Sequence, residues 1–362
     1  MAHELIADAV IPTIDLRDKN SAFAVCSSIR RWNCAIVTDG KYDAALRLAY
    51  ILEMAQYYRQ PVSMLLHDVF KELFYQIGIT PPFIEATGLT PADFAHLLPE
   101  DQPTWPIGGF EAYIGDEKMR LFHSIGRPPA QTNYPNLNMR HSVPDGVKPL
   151  VYVLDPMGER LREVGLTMLE RLAEGLGWFS DTFTKLLDAG SHLVAPTGTI
   201  VHNTFPLIAA AAHKDCNFLS VHDSANCGGL YIWAGGKKMR VRIPAGYYLV
   251  QTGLQLEYML GGESTAGEHE VVIRKAEAVQ LHNWFVAHEG SVSSKAVRVS
   301  ATLFLTQNTD SEMRPLHQFA TLERCARYPT TEAGAWFTAY LEKLYVAGQV
   351  RAARGLVAPE WV

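Results

Sequence analysis

His213, Asp215 and His269 are the residues of this 362-residue chain whose types and spacing could do chemistry together. Two imidazoles and one carboxylate offered to one point form the three-ligand face that holds non-haem Fe(II) and leaves other coordination positions open. The triplet His213-Lys214-Asp215 is weak by itself. With 13 His and 38 acidic residues, composition alone would produce roughly one His-x-acid triplet, and a solvated pair at a strand end accounts for it as readily. The setting carries more weight.

Around the triplet, Asn217 to Val221, Gly229 to Trp233 and Tyr247 to Gln251 are short β-branched or aromatic runs separated by Gly, Lys and Pro, which predicts successive strands. On an extended strand, side chains two apart share a face. His213 and Asp215 can therefore converge on one ion while Lys214 points away, and Cys216 falls on the opposite, core side. The third ligand must come from another strand. His269 opens the strand-like run His269 to Ile273 and supplies it; His192, His202 and His222 lie in the same β region with the same donor atoms, and strand context favours His269. The final run, Val297 to Leu305, puts Arg298, Ser300 and Thr302 on one face. An Arg beside a Ser hydroxyl is a fork plus a donor suited to a carboxylate.

Taken together, His213-x-Asp215, Gly-Gly-Leu-Tyr-Ile-Trp at 228–233, Gly-Glu-His-Glu-Val-Val at 267–272 and Arg-Val-Ser-Ala-Thr-Leu-Phe at 298–304 resemble the iron- and 2-oxoglutarate-dependent dioxygenases, specifically the isopenicillin N synthase-like branch. Ile11-Pro12-Thr13-Ile14-Asp15-Leu16 is similar to that branch's opening strand. The resemblance implies a mainly β fold with flanking helices and a double-stranded β-helix (jelly roll) core. It implies Fe(II) on His213, Asp215 and His269, the distal carboxylate of 2-oxoglutarate on Arg298 and Ser300, and O2 as oxidant. The activity implied is oxidation of an unactivated C–H bond by hydroxylation, desaturation or ring closure, with succinate as co-product. Asp at 215, rather than Gly, argues against the halogenating variants. Two other readings stay open: an Fe(II)/O2 oxidase that needs no 2-oxoglutarate, as isopenicillin N synthase itself, and a metal-silent jelly-roll binding module.

The chain departs from that pattern twice. Arg298 follows His269 at a longer interval than in the resembled branch, so 274–295 reads as an insertion; its Trp284, Phe285, His282 and His288 suggest a cover over the barrel mouth or an interface. An upstream Asn-x-Tyr that assists co-substrate binding in relatives is missing, and His192-Leu193-Val194-Ala195-Pro196 stands in its place.

At this length and 48% hydrophobic content, one domain over 1–362 can bury a large core. We expect a helical and loop layer over 1–190, the catalytic jelly roll over 191–310 and a helical tail over 311–362. A net charge of −6 without long basic runs disfavours nucleic acid and anionic membrane as partners and leaves a small molecule. Five cysteines without a C-x-x-C pair, and no basic-then-apolar leader at Met1 to Leu5, fit a reducing, cytoplasmic setting.

Earlier in the chain, Ser21 to Cys34 reads as a helix leading into a strand at Ala35-Ile36-Val37. A second helix begins at Asp43 with Ala44, Leu48, Ile51, Leu52, Ala55 and Tyr58 in helical register, and should lie against the barrel. From 80 to 149, recurring Pro and Gly predict long loops. A loop of that length inside a domain is often functional, and in the resembled family it walls the substrate pocket. Arg127, Tyr134, Asn136 and Arg140 are therefore substrate candidates, with Tyr231 and Trp233 from the sheet. Arg127 or Arg140 would bind the carboxylate of an amino acid or peptide-like metabolite. Asp155-Pro156 looks like a helix start, with an apolar stripe to Leu176, Gln255 reads as a strand residue, and 331–349 as a C-terminal helix.

Overall fold

Leu193 to Leu305 folds into the strands that the apolar runs predict, and helices cover them from outside. The computed structural model describes residues 8, 10–61, 65, 78–79, 118–126, 131–137, 143, 146–203, 205–290, 295–341 and 343. The strands are β1 (Thr13–Asp15), β2 (Cys34–Thr38), β3 (Gly78–Ile79), β4 (Met119–Arg120), β5 (His123–Ser124), β6 (Leu193–Val201), β7 (Leu207–Lys214), β8 (Leu219–His222), β9 (Leu230–Ala234), β10 (Lys237–Arg240), β11 (Tyr248–Thr252), β12 (Glu268–Ile273) and β13 (Ala296–Leu305).

They form two sheets. The larger runs β1-β2-β11-β8-β13-β6-β4-β3, with β5 also on β6, and the smaller runs β10-β9-β12-β7. Only β1 and β2 among these pair in parallel; every other pairing is antiparallel. A single cavity takes side chains from both sheets, including His213 and His269 from the smaller and His222, Arg298 and Thr302 from the larger.

On the outer side of the large sheet, α1 (Ser21–Trp32) buries Val25, Cys26 and Ile29 and stops at Asn33, whose left-handed backbone (φ 55°) returns its N–H to the Ile29 carbonyl. Helix α2 (Ala44–Tyr58) starts where expected: the Asp43 carboxylate accepts the Leu46 N–H at 2.9 Å, a cap that contributes about 1 kcal/mol. Its last turn seats Tyr58 on β6. The phenol donates to the Pro196 carbonyl at 2.9 Å, and the ring occupies the space a Cβ at Gly198 would need.

Helix α3 (Val151–Gly175) carries the predicted stripe of Met157, Leu161, Val164, Met168 and Leu172, all buried. Gly158 and Gly165, one heptad apart on that face, let it approach Ile125, Val194, Val221 and Leu305 closely. Its start differs from the expectation at Asp155-Pro156. The helix begins at Val151, which places Pro156 in its second turn, where proline leaves the Tyr152 carbonyl without its intrahelical N–H donor. Asp155 is not a cap because its carboxylate is taken by His123 Nε2, at 2.5 Å.

One further assignment is corrected. Gln255 lies on a short helix, α4 (Leu254–Met259), begun by Gly253, and not on a strand; its side-chain oxygen accepts the Gln307 N–H at 3.0 Å. Most of 274–295 is one helix, α5 (Lys275–Glu289), ended by Gly290 at φ 72°. Leu281 and Phe285 of α5 are buried, and the Arg59 guanidinium covers the Phe285 ring. In the tail, 331–332 is a strand and the helix spans 333–341, beyond which only residue 343 is described. No helix among the described residues is long and apolar enough to cross a membrane.

Candidate metal and co-substrate site

β7 and β12 pair so that His213 and His269 are direct cross-strand partners, which brings their ring centroids to 4.3 Å. Asp215 follows immediately after β7. His213 Nε2 lies 3.5 Å from Asp215 Oδ1, and His269 Nε2 lies 3.8 Å from Oδ2. The ligand atoms of the three residues all fall within 4.8 Å of one another.

Hydrogen bonds aim these atoms. His213 Nδ1 donates to the Ala211 carbonyl at 2.7 Å, and His269 Nδ1 faces the Gly267 carbonyl at 3.4 Å. Those contacts select the tautomer that leaves each Nε2 lone pair free. Asp215 Oδ2 accepts the Ser220 hydroxyl at 2.5 Å, while the Leu254 N–H at the start of α4 holds the Asp215 carbonyl at 2.9 Å. Burial by itself would raise the Asp215 carboxyl, but His269, His213 and His222 together hold it well below its ordinary range. Burial pushes His269 down to about 3. An ionised carboxylate beside imidazole lone pairs is the donor set a divalent metal requires, so the residues present fit Fe(II).

Arg298 is 6% exposed. Its Nε donates to the Gly228 carbonyl at 3.0 Å and Nη1 reaches Ser300 Oγ at 3.5 Å. No acidic side chain among the described residues forms an ion pair with it; burial lowers its pKa, outweighing the Cys227 thiol and the Glu277 carboxylate, which favour its charge. A buried guanidinium without an ion-pair partner is costly, and a dicarboxylate entering the cavity would relieve that cost. The residues thus fit 2-oxoglutarate as well as iron.

The cavity has a volume of about 280 Å³, close to the small end for a metabolite pocket. Some predicted residues line it and others do not. His213, Asp215, His269, Arg298 and Ser300 all do. Tyr231 and Trp233 are not among its lining residues: they share the alternate face of β9, where Lys238 sits over both rings and the Tyr231 hydroxyl meets Arg274. Leu230, one residue away, lines the cavity instead. Tyr134 bonds Glu332 at 2.5 Å, and its ring packs against Gly334. Arg127 and Arg140 lie outside the described residues.

Other lining residues went unassigned on sequence grounds. Arg120 comes from β4, a two-residue strand with no periodicity to reveal it, and bonds Thr197 at 3.1 Å across the β4–β6 pair. Thr197 lies in the strand that lacks the expected Asn-x-Tyr, and Phe304 extends the Arg298 face by the same period of two. Glu277 and Gln280 of α5 close the end near Gly228, so α5 borders the pocket.

No family model and no curated protein matches the sequence. Solved structures do. A 2OG-Fe(II) oxygenase family protein from Caulobacter crescentus superposes with a TM-score of 0.67 at 18% identity, covering 92% of this chain and 99% of its own. The chain has the fold of the 2OG-Fe(II) oxygenases. A full-length Neurospora crassa protein, solved in complex with alpha-KG, matches with a TM-score of 0.67 at 14% identity over 92% of this chain and 96% of its own. The dioxygenase for auxin oxidation 1 of Arabidopsis thaliana, a complex with 2-oxoglutarate, matches with a TM-score of 0.60 at 15% identity over 87% of this chain and 99% of its own.

Proposed function

We propose that this protein is a non-haem Fe(II)- and 2-oxoglutarate-dependent oxygenase built on a double-stranded β-helix. The observation that carries the proposal is the presence, in one cavity, of His213, Asp215 and His269 with their ligand atoms within 4.8 Å and of a buried Arg298 that forms no ion pair among the described residues. The neighbouring structures in complex with alpha-KG or 2-oxoglutarate support it.

In this reading His213 and His269 bind iron through Nε2, and Asp215 contributes one negative charge, which leaves the ion cationic and open on its remaining positions. Iron with 2-oxoglutarate and O2 supplies the oxidising power for a C–H bond, with succinate and CO2 as co-products. The protein's own work is placement. Ser220 fixes the carboxylate, the Ala211 and Gly267 carbonyls orient the rings, and Arg298 with Ser300 anchors the far carboxylate.

The substrate we propose is a small, partly apolar metabolite with a carboxylate, such as an amino acid or peptide-like compound. Arg120, Arg240 and Arg242 border the cavity together with Leu230, Val241 and Phe304, a lining that suits such a molecule. Arg127 and Arg140 remain candidates for the same task. Oxygen uptake by the Fe(II)-loaded protein, screened with amino acids and small carboxylic acids, tests this. Stimulation by a carboxylic acid with stoichiometric succinate is expected; stimulated uptake that ignores 2-oxoglutarate would establish the oxidase reading instead.

A further inference from the structure

Next to the three proposed ligands lies a fourth imidazole that they do not use. His222 ends β8 and is 8% exposed. Its ring meets His269 edge-on, with centroids 5.5 Å apart. On one side, Nδ1 lies 3.1 Å from the hydroxyl of Thr302, its cross-strand neighbour on β13. On the other side, Nε2 is buried and has no hydrogen-bond partner among the described residues, although the residue lines the cavity. His222 is not in the group whose ligand atoms converge within 4.8 Å. A buried polar atom left unpaired carries a penalty and calls for a partner, and one that faces a cavity can find it in a ligand.

Its place along the sheet indicates the use. Arg298, Ser300 and Thr302 succeed one another on the same face of β13. Arg298 marks the end near Gly228, while Thr302 and His222 mark the end at the metal ligands. A dicarboxylate anchored at Arg298 and reaching the metal would bring its other end beside His222. We propose that His222 is a positioning residue that donates a hydrogen bond from Nε2 to the metal-binding keto-acid end of the co-substrate, with the Thr302 hydroxyl donating to Nδ1 to hold the tautomer. The proposal rests on the oxygenase reading above and assigns the end of the co-substrate opposite to Arg298.

Two probes separate the ends under anaerobic conditions: 2-oxoglutarate, and oxalate, which offers the metal an adjoining pair of oxygens but has no far carboxylate for Arg298. Metal affinity is measured first, then each probe is titrated into Fe(II)-loaded native protein, His222→Leu, His222→Gln, Thr302→Val and Arg298→Ala, following calorimetry and the visible charge-transfer band. The expectation is that His222→Leu binds both probes about tenfold or more weakly with unchanged metal affinity and a displaced band. His222→Gln should recover part of the loss, Thr302→Val should show a smaller loss in the same direction, and Arg298→Ala should weaken 2-oxoglutarate alone. If His222→Leu does not fold, His222→Gln and Thr302→Val carry the test through the band position. Native-like binding of both probes by the His222 variants, while Arg298→Ala loses 2-oxoglutarate, overturns the role of His222 and leaves the oxygenase reading intact. Loss of metal affinity in His222→Leu also overturns it, by making His222 a ligand. Failure of the metal-loaded native protein to bind either probe overturns the oxygenase reading itself.

Discussion

His213 and His269 are directly opposed on the antiparallel strands β7 and β12, with ring centroids 4.3 Å apart. Their approach is therefore set by sheet register, and a slip of one residue would turn one ring to the other face. The third ligand is different: Asp215 stands just past the end of β7 and depends on Ser220 and the Leu254 N–H for its position.

That dependence gives a first prediction. Ser220→Ala removes the 2.5 Å hydrogen bond to Asp215 Oδ2 without touching a ligand. Loss of such an outer partner costs about 10- to 100-fold in metal affinity, which competition against a chelator will measure. An unchanged affinity would mean that Asp215 is positioned by its backbone alone.

Arg298→Ala should raise the 2-oxoglutarate concentration needed for half-maximal turnover by more than tenfold, because a buried charge-assisted pair is broken. Arg298→Lys should recover little, since an ammonium cannot reproduce the forked contact with Gly228, Ser300 and a carboxylate. Steady-state kinetics with 2-oxoglutarate varied, and metal content matched, checks both.

These site residues were legible from sequence because sheet periodicity is simple. A period of two put His213 with Asp215 and Arg298 with Ser300 and Thr302, and the cavity contains all five. The same rule says nothing about which face is inside, and on β9 it is Leu230, not Tyr231 or Trp233, that lines the cavity. Arg120 was hidden because its partner Thr197 is remote in sequence and its strand is two residues long. At Asp155-Pro156 a tertiary contact overrides the local rule: His123, from β5, engages the acid that local rules make a cap.

Acid should destabilise the fold through His192, which is buried and accepts the Thr306 N–H at Nδ1. Burial and then Arg162 push it down to about 3 from an ordinary 6.5. Between those values the unfolded chain binds a proton that the folded chain does not, so stability is full above about pH 6.5 and falls as pH drops toward 3. The slope from this one group is at most about 1.4 kcal/mol per pH unit. Metal-free His192→Gln should show a flatter Tm-against-pH curve than the metal-free native protein below pH 6.5; parallel curves would remove His192 as the cause.

Gly198→Ala should destabilise the docking of α2 on β6, since the new Cβ would stand 2.2 Å from the Tyr58 ring. Overpacking of this kind costs about 1–3 kcal/mol. Denaturant unfolding will show it as a lower midpoint, and Tyr58→Leu in the same background should return part of the loss by clearing the ring.

The most direct test of the central claim is iron stoichiometry after anaerobic reconstitution and removal of free metal, comparing the native chain with His213→Ala, Asp215→Ala and His269→Ala, each checked for folding by circular dichroism. The account predicts one tightly held iron per native chain and a sharp loss of iron in each folded variant. Full iron retention by any one of the three would contradict it.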